Sequence, residues 1–239
     1  DTPAAAEARA RLTAPASARP ERMSRVELQV FGTTYGAWLG VAVPLAFGSE
    51  SAEAYGAGLL VGGPLGLLAA RAYMNAHPVT EGQARAISWG GAWGTWQGFG
   101  WAELLDIGQD RVCDDFGCYD TEDDGEELVA AMVVGGLAGI AGGGLLARNP
   151  IPSGVSSGAQ GGSIWGSIYG ALLAAMIDDD EDTVLAASLI SGNVGLVAGA
   201  ALAKKYDMSR SRIRMINLGA LVGGLGGLGL DLLIQPDND

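Results

Sequence analysis

A single histidine and two cysteines among 239 residues leave little from which to build a metal centre or a nucleophilic active site. A zinc site takes four ligands, and His77 is remote in sequence from Cys113 and Cys118. No nucleophile elbow, P-loop or metalloprotease helix occurs, so catalysis is not expected, nor is a cofactor or a bound metal. Charge is scarce too, at 17% of residues against roughly 25% in soluble domains. What charge there is sums to −13, which excludes nucleic acid as a partner, because binding a polyphosphate needs a clustered cationic surface.

Glycine and apolar residues take up the room that charge leaves. The chain holds 39 glycines and is 49% hydrophobic, a mixture that leans toward the membrane. Seven apolar stretches are predicted as helices at about 26–47, 53–72, 82–105, 127–147, 158–177, 183–203 and 211–234. Each has close to the roughly 20 residues that cross about 30 Å of hydrocarbon at 1.5 Å per residue. Residues 1–22, rich in Ala, Pro and Arg, read as a solvated tail, and 23–235 as one membrane domain with an acidic loop at 106–126. Opening at Asp1 rather than Met, the sequence reads as a processed form or a fragment, with no signal-peptide core ahead of the first apolar stretch.

Every stretch repeats small residues four apart. The rows are Gly32, Gly36 and Gly40; Gly58, Gly62 and Gly66; Gly90, Gly94 and Gly98; Gly135, Gly139 and Gly143; Gly162, Gly166 and Gly170; Ser191, Gly195 and Gly199; and Gly219, Gly223 and Gly227. Residues four apart stack on one helix face, so each row is a smooth groove that a neighbouring backbone can approach closely. In water a mid-helix glycine costs about 1 kcal/mol relative to alanine, which makes seven such rows hard to explain without tight helix contacts. A phrase also recurs, as Tyr35-Gly36, Trp93-Gly94, Trp165-Gly166 and Leu218-Gly219, each with a second glycine four residues on. It points to a helix hairpin used three and a half times. Capping-box patterns at Ser24 with Glu27, Thr80 with Gln83 and Ser157 with Gln160 mark three helix starts.

The charges are sorted. Of 14 Lys and Arg residues, all but Arg111 lie in the tail or in loops that join even to odd helices. Most of the 27 acids lie in the odd-to-even loops and at the C-terminus. Compensation of helix dipoles fits the even helices, which start near Glu53, Glu127 and Asp182 and end near Arg71, Arg148 and Lys204. It fails for the odd ones, which start near Arg25, Arg85 and Arg214 and end near Glu103, Asp178 and Asp231. Segregation across a membrane accounts for both sets. The basic N-terminal side is then cytoplasmic in an inner or plasma membrane, or periplasmic in an outer membrane if Asp1 is a signal-cleaved end. The acidic loops lie on the opposite, oxidising side, where Cys113 and Cys118 are expected to form a local disulfide.

The expected fold is therefore all-α, a polytopic bundle of about seven glycine-zippered transmembrane helices. An outer-membrane β-barrel is the alternative, since Val26 to Val30 alternates as a strand does; a soluble helical protein is a further rival. Gly224, Gly226 and Gly229 match a dinucleotide-binding spacing, but no strand precedes them, so packing is the better reading. Asp120, Glu122, Asp124 and Gly125 begin like a calcium loop whose twelfth position is Ala131 rather than glutamate, and a solvated acidic loop is the default there and at 178–182. His77, before Pro78, reads as a turn residue.

Within the spans no clearly mid-span ionisable residue occurs, which weakens ion-coupled transport. The polar groups predicted inside are Gln29, Thr33, Thr34, Gln97, Ser163, Ser167, Asn193 and Asn217, and each needs a partner in hydrocarbon. Trp89, Trp93 and Trp96 share a helix face and read as a lipid-facing or partner-facing belt, with pigment or lipid binding as the sharper reading. The leading functional expectation is a non-enzymatic structural subunit, whose partners are membrane lipid and either copies of itself or other subunits of a membrane complex. The rival is a channel or small-solute transporter with Gln29, Gln97, Asn193 and Asn217 along a polar passage.

Overall fold

A computed structural model of the chain describes residues 22–108, 111–114, 117–120, 125–178 and 180–234, with side chains described outside 109–124, 179, 228 and 230–239. Seven long helices occupy them: α1 (Arg22–Ala46), α2 (Ala52–Ala76), α3 (Glu81–Leu104), α4 (Glu126–Leu146), α5 (Ser153–Ala175), α6 (Glu181–Lys205) and α7 (Arg210–Ile234). A two-stranded antiparallel hairpin, β1 (Arg111–Asp114) and β2 (Gly117–Asp120), interrupts the loop between α3 and α4. Every long apolar stretch is helical, so the barrel alternative is set aside: the short alternation at 26–30 yields to the surrounding helix-forming pattern. Three helices, α2, α4 and α6, are long and apolar enough to cross a membrane by length and composition.

Local chemistry sets several helix ends. Thr80 and Gln83 form the capping box read from sequence, each side chain bonding the other residue's backbone N–H. The other two boxes are corrected. α1 and α5 begin earlier, at Arg22 and Ser153, so Ser24 and Ser157 sit inside helices and are used between them. Ser24 Oγ donates to the Val79 carbonyl at 2.9 Å, and Ser157 Oγ accepts from Arg85. At α6, Asp180 is the N-cap, accepting from the Thr183 backbone N–H and hydroxyl, both at 2.9 Å. Those two bonds hold its carboxyl below the usual aspartate range.

Sequential helices zip into antiparallel hairpins, α1 with α2, α3 with α4 and α5 with α6. The glycine rows are the seam. A methyl group on Gly32, Gly36 or Gly40 would run into the carbonyl oxygens of Gly66, Gly62 and Gly58, in that antiparallel order. The second hairpin matches Gly90 to Gly139, Gly94 to Gly135 and Gly98 to Ala131, with Gly143 against Ala86. In the third, Gly158 meets Gly199, Gly162 meets Gly195, Gly166 meets Ser191, and Gly170 meets Ser191 and Ala187. Close backbone approach of this kind maximises van der Waals contact and needs the Cβ to be absent.

The odd helices form a row in which α1 contacts α3, α3 contacts α5 and α5 contacts α7. The even helices lie over it, α4 against both α3 and α1, and α6 against both α5 and α3. Where hairpins meet, a second set of glycines serves as sockets for side chains. Gly91 receives Phe31, Gly136 receives the Tyr35 hydroxyl, Gly192 receives Trp93, Gly100 receives Leu189 and Gly161 receives Asn217.

Candidate functional site

Because the hairpins are antiparallel, the starts of the odd helices and the ends of the even ones share one end of the bundle. There the basic residues meet two acids outside the acidic loops, Glu27, read from sequence as a capping partner of Ser24, and Glu81. Arg85, 8% exposed, donates through Nε and Nη2 to both oxygens of Glu27 at 3.2 and 2.9 Å, and through Nη1 to Ser157 Oγ at 2.7 Å. Ser88 Oγ adds a bond to Glu27 at 3.2 Å. Glu81 lies 3.7 Å from Arg85 and pairs with Arg210. One partly buried, fork-matched network therefore joins α1, α3, α5 and α7, all four odd helices. Beside it, Gln83 of α3 holds the chain leaving α4, donating to the Ala147 and Asn149 carbonyls at 2.7 and 3.1 Å.

Deeper in the bundle, aromatic donors link each hairpin to the next. Tyr35 on α1 shares a hydrogen bond of 3.0 Å with Thr95 on α3. Trp89 and Trp93 on α3 donate to Ser163 on α5 at 3.1 Å and to Asn193 on α6 at 3.0 Å. Trp165 on α5 donates to Asn217 on α7 at 3.2 Å. Tyr35, Trp93 and Trp165 hold the same place in the recurring phrase, directly before the seam glycine. The belt reading is thus corrected for Trp89 and Trp93: both are half-buried and their indoles fasten neighbouring hairpins, which satisfies the N–H away from water.

The four residues read as a passage are not gathered in one place. Asn193 Nδ2 donates to Gln97 Oε1 at 2.8 Å, and Gln97 Oε1 also accepts from Trp101 at 3.0 Å. Asn217 is held by Trp165 on the far side of α5, and Gln29 lines a shallow recess with Arg25, Arg71 and Asn75 at the basic end. Thr33, Thr34 and Ser167 bond helix carbonyls. His77 caps α2 and stacks on Tyr73 at 4.8 Å between ring centroids, as a turn residue does. In the acidic loop, β1 and β2 place Cys113 directly opposite Cys118 in register, while their side chains and most of the calcium-like run lie outside the described residues.

The seventh helix breaks the pattern. Gly219, Gly223 and Gly227 have the spacing of the other rows, yet a methyl group on any of them would meet nothing within 4 Å. Gly226, close to the same face, and Gly224, on another face of α7, are equally open. Leu218 stands where Tyr35, Trp93 and Trp165 stand in the other repeats, exposed and without a polar atom to offer. No known protein family, curated protein or solved structure matches the chain.

Proposed function

We propose that the chain is a non-enzymatic membrane subunit, a seven-span bundle of glycine-zippered hairpins that docks through α7 onto a helix of another copy or of a neighbouring subunit. The single observation that carries this reading is the bare row on α7. Six helices bury the same spacing against backbone, and the seventh presents it to the surroundings. In lipid the hydrophobic effect does not drive helices together, so a backbone-accessible row is the surface best suited to association.

Three features support the membrane setting. α2, α4 and α6 have the length and apolarity of spans. Large apolar side chains such as Leu60, Leu68, Val134, Leu173 and Val197 face outward, a pattern suited to lipid contact. Basic loops collect at one end of the bundle and acidic segments at the other, which fits a cytoplasmic basic side and an oxidising acidic side on which a Cys113–Cys118 disulfide would persist. The register of β1 and β2 favours that bond, since directly opposed antiparallel residues fall near the roughly 4.4–6.8 Å Cα separation that a disulfide spans. A polar passage has less support, because Gln97 Oε1, Asn193 and Asn217 are engaged in separate pairs, Asn193 with Gln97 and Trp93 and Asn217 with Trp165, rather than along one path.

The test is purification of the full chain in mild detergent, sized by native mass spectrometry beside a Gly223→Leu variant. The expected result is an assembly larger than the monomer that reverts to monomer in the variant with its helicity intact. A wild-type monomer without co-purifying subunits sinks the reading.

A further inference from the structure

Between the first two hairpins lies an apolar slot of about 470 Å³, within the roughly 300–1,000 Å³ range of small-molecule sites. α1 forms its floor from Leu28 to Leu39, α2 and α4 form its walls, and Ile87 of α3 contributes at its basic half. Of its lining residues only Ala69 on α2 and Ala141 on α4 are exposed, so its mouth opens sideways between those two helices. The mouth is narrow-walled but passable because small residues, Ala69, Ala141 and Gly144, stand where larger ones would close it.

We infer that this slot holds one acyl chain of an anionic phospholipid drawn from the leaflet on the basic side. The inference rests on the membrane setting proposed above and is carried by three matches. Leu28 to Leu39 covers about 16 Å along α1, half of the roughly 30 Å hydrocarbon core and hence the depth of one leaflet. The mouth lies between two of the three helices apolar enough to face lipid, so its entrance is at hydrocarbon level rather than in water. An exposed arginine, Arg148, stands at its basic end one turn beyond Gly144, where a phosphate headgroup would sit above the chain. A flat or polycyclic ligand fits these dimensions less well than a single extended chain.

The test uses the full chain in phosphatidylcholine vesicles doped with phosphatidylglycerol that carries a photoreactive diazirine midway along one acyl chain. Resistance to carbonate extraction is read first; a protein released by carbonate overturns the membrane setting and the slot with it. In a carbonate-resistant protein, adducts are expected on 28–39, 66–73 and 140–144, and Ala69→Phe/Ala141→Phe, which fills the mouth, should lower them on the order of tenfold by excluding several methylenes. Arg148→Glu, which leaves the slot open, should lower the yield from phosphatidylglycerol relative to a phosphatidylcholine probe by about fivefold. Equal adduct yields in wild type and the filled variant, or an unchanged headgroup preference in Arg148→Glu, overturn the slot while leaving the membrane setting intact.

Discussion

The glycine row of α7 and the rows of α1 to α6 are alike in sequence and opposite in surroundings. Gly36 lies against the Gly62 carbonyl and Gly66 Cα; Gly223, at the same spacing, faces open space. The residue before each seam glycine differs in step, a hydrogen-bonding aromatic in the first three hairpins and Leu218 in α7. A period-four glycine row therefore records that a helix can be approached, and what approaches it is decided by the neighbours. Six rows are consumed in pairs by the closure of three hairpins, and α7 is left with its own.

That contrast predicts its largest effect at the closed seams. Gly36→Leu, Gly94→Leu and Gly162→Leu each force a branched side chain into backbone that cannot move without opening the hairpin. The cost should exceed the roughly 1–3 kcal/mol of ordinary overpacking, and little folded protein should survive in mild detergent. Thermal unfolding followed by helicity reads it. A Gly94→Leu variant as stable as wild type would remove the seam as the basis of the fold.

The charged network offers the next largest effect, because among the described residues it ties α7 to the odd row by an ion pair, Arg210 with Glu81. Arg85→Ala leaves Glu27 facing the α1–α3–α5 junction without its counter-charge, and a loss of about 3 kcal/mol is expected, the lower end for a broken buried pair since Glu27 is partly solvated. Removing both charges, as Arg85→Leu/Glu27→Leu, should cost less than Arg85→Ala alone. If the double variant is the weaker of the two, desolvated charge is not what the network balances, and packing volume at the junction becomes the better explanation.

How much of this was legible depends on whether the signal was local. The seven helices and their bounds to within a few residues follow from apolar length and their hairpin grouping from the recurring phrase, whereas which residue of one row faces which of the next is set by packing. The network was not legible, because Ser24 with Glu27 and Ser157 with Gln160 each satisfy a local capping rule, whereas their partners Val79 and Arg85 are more than fifty residues away. The tryptophans were misread for a related reason. Helical spacing places Trp89 and Trp93 on one face, but only the packing of α5 and α6 on α3 decides that this face is interior. The first two odd helices are the less apolar members of their hairpins, and among the described residues α2, α4 and α6 are the helices that stand out as spans.

A moderate effect is expected at those joins. Trp93→Phe keeps the ring and removes the N–H, leaving Asn193 Oδ1 without its donor, at a cost of about 1–2 kcal/mol. Leu218→Trp adds a donor at the matching place on α7, where the side chain is exposed, and should leave the unfolding temperature of the monomer unchanged. A gain in monomer stability from Leu218→Trp would mean that α7 is packed more closely than its open glycines indicate.

The smallest effect is also the one that most sharply divides the two regions, because it predicts a change of sign. Alanine for glycine on α7 meets no neighbour, so at Gly224 only the intrinsic preference of the helix remains, and stability of the dilute monomer should rise by up to about 1 kcal/mol. At Gly94 the same methyl strikes the Gly135 carbonyl, and the propensity gain is outweighed by separation of the two backbones. Gly224→Ala should therefore raise, and Gly94→Ala lower, the unfolding temperature measured side by side in the same detergent. Two changes of the same sign would mean that the rows do not differ in what touches them, and the reason for singling out α7 as the docking helix would be gone.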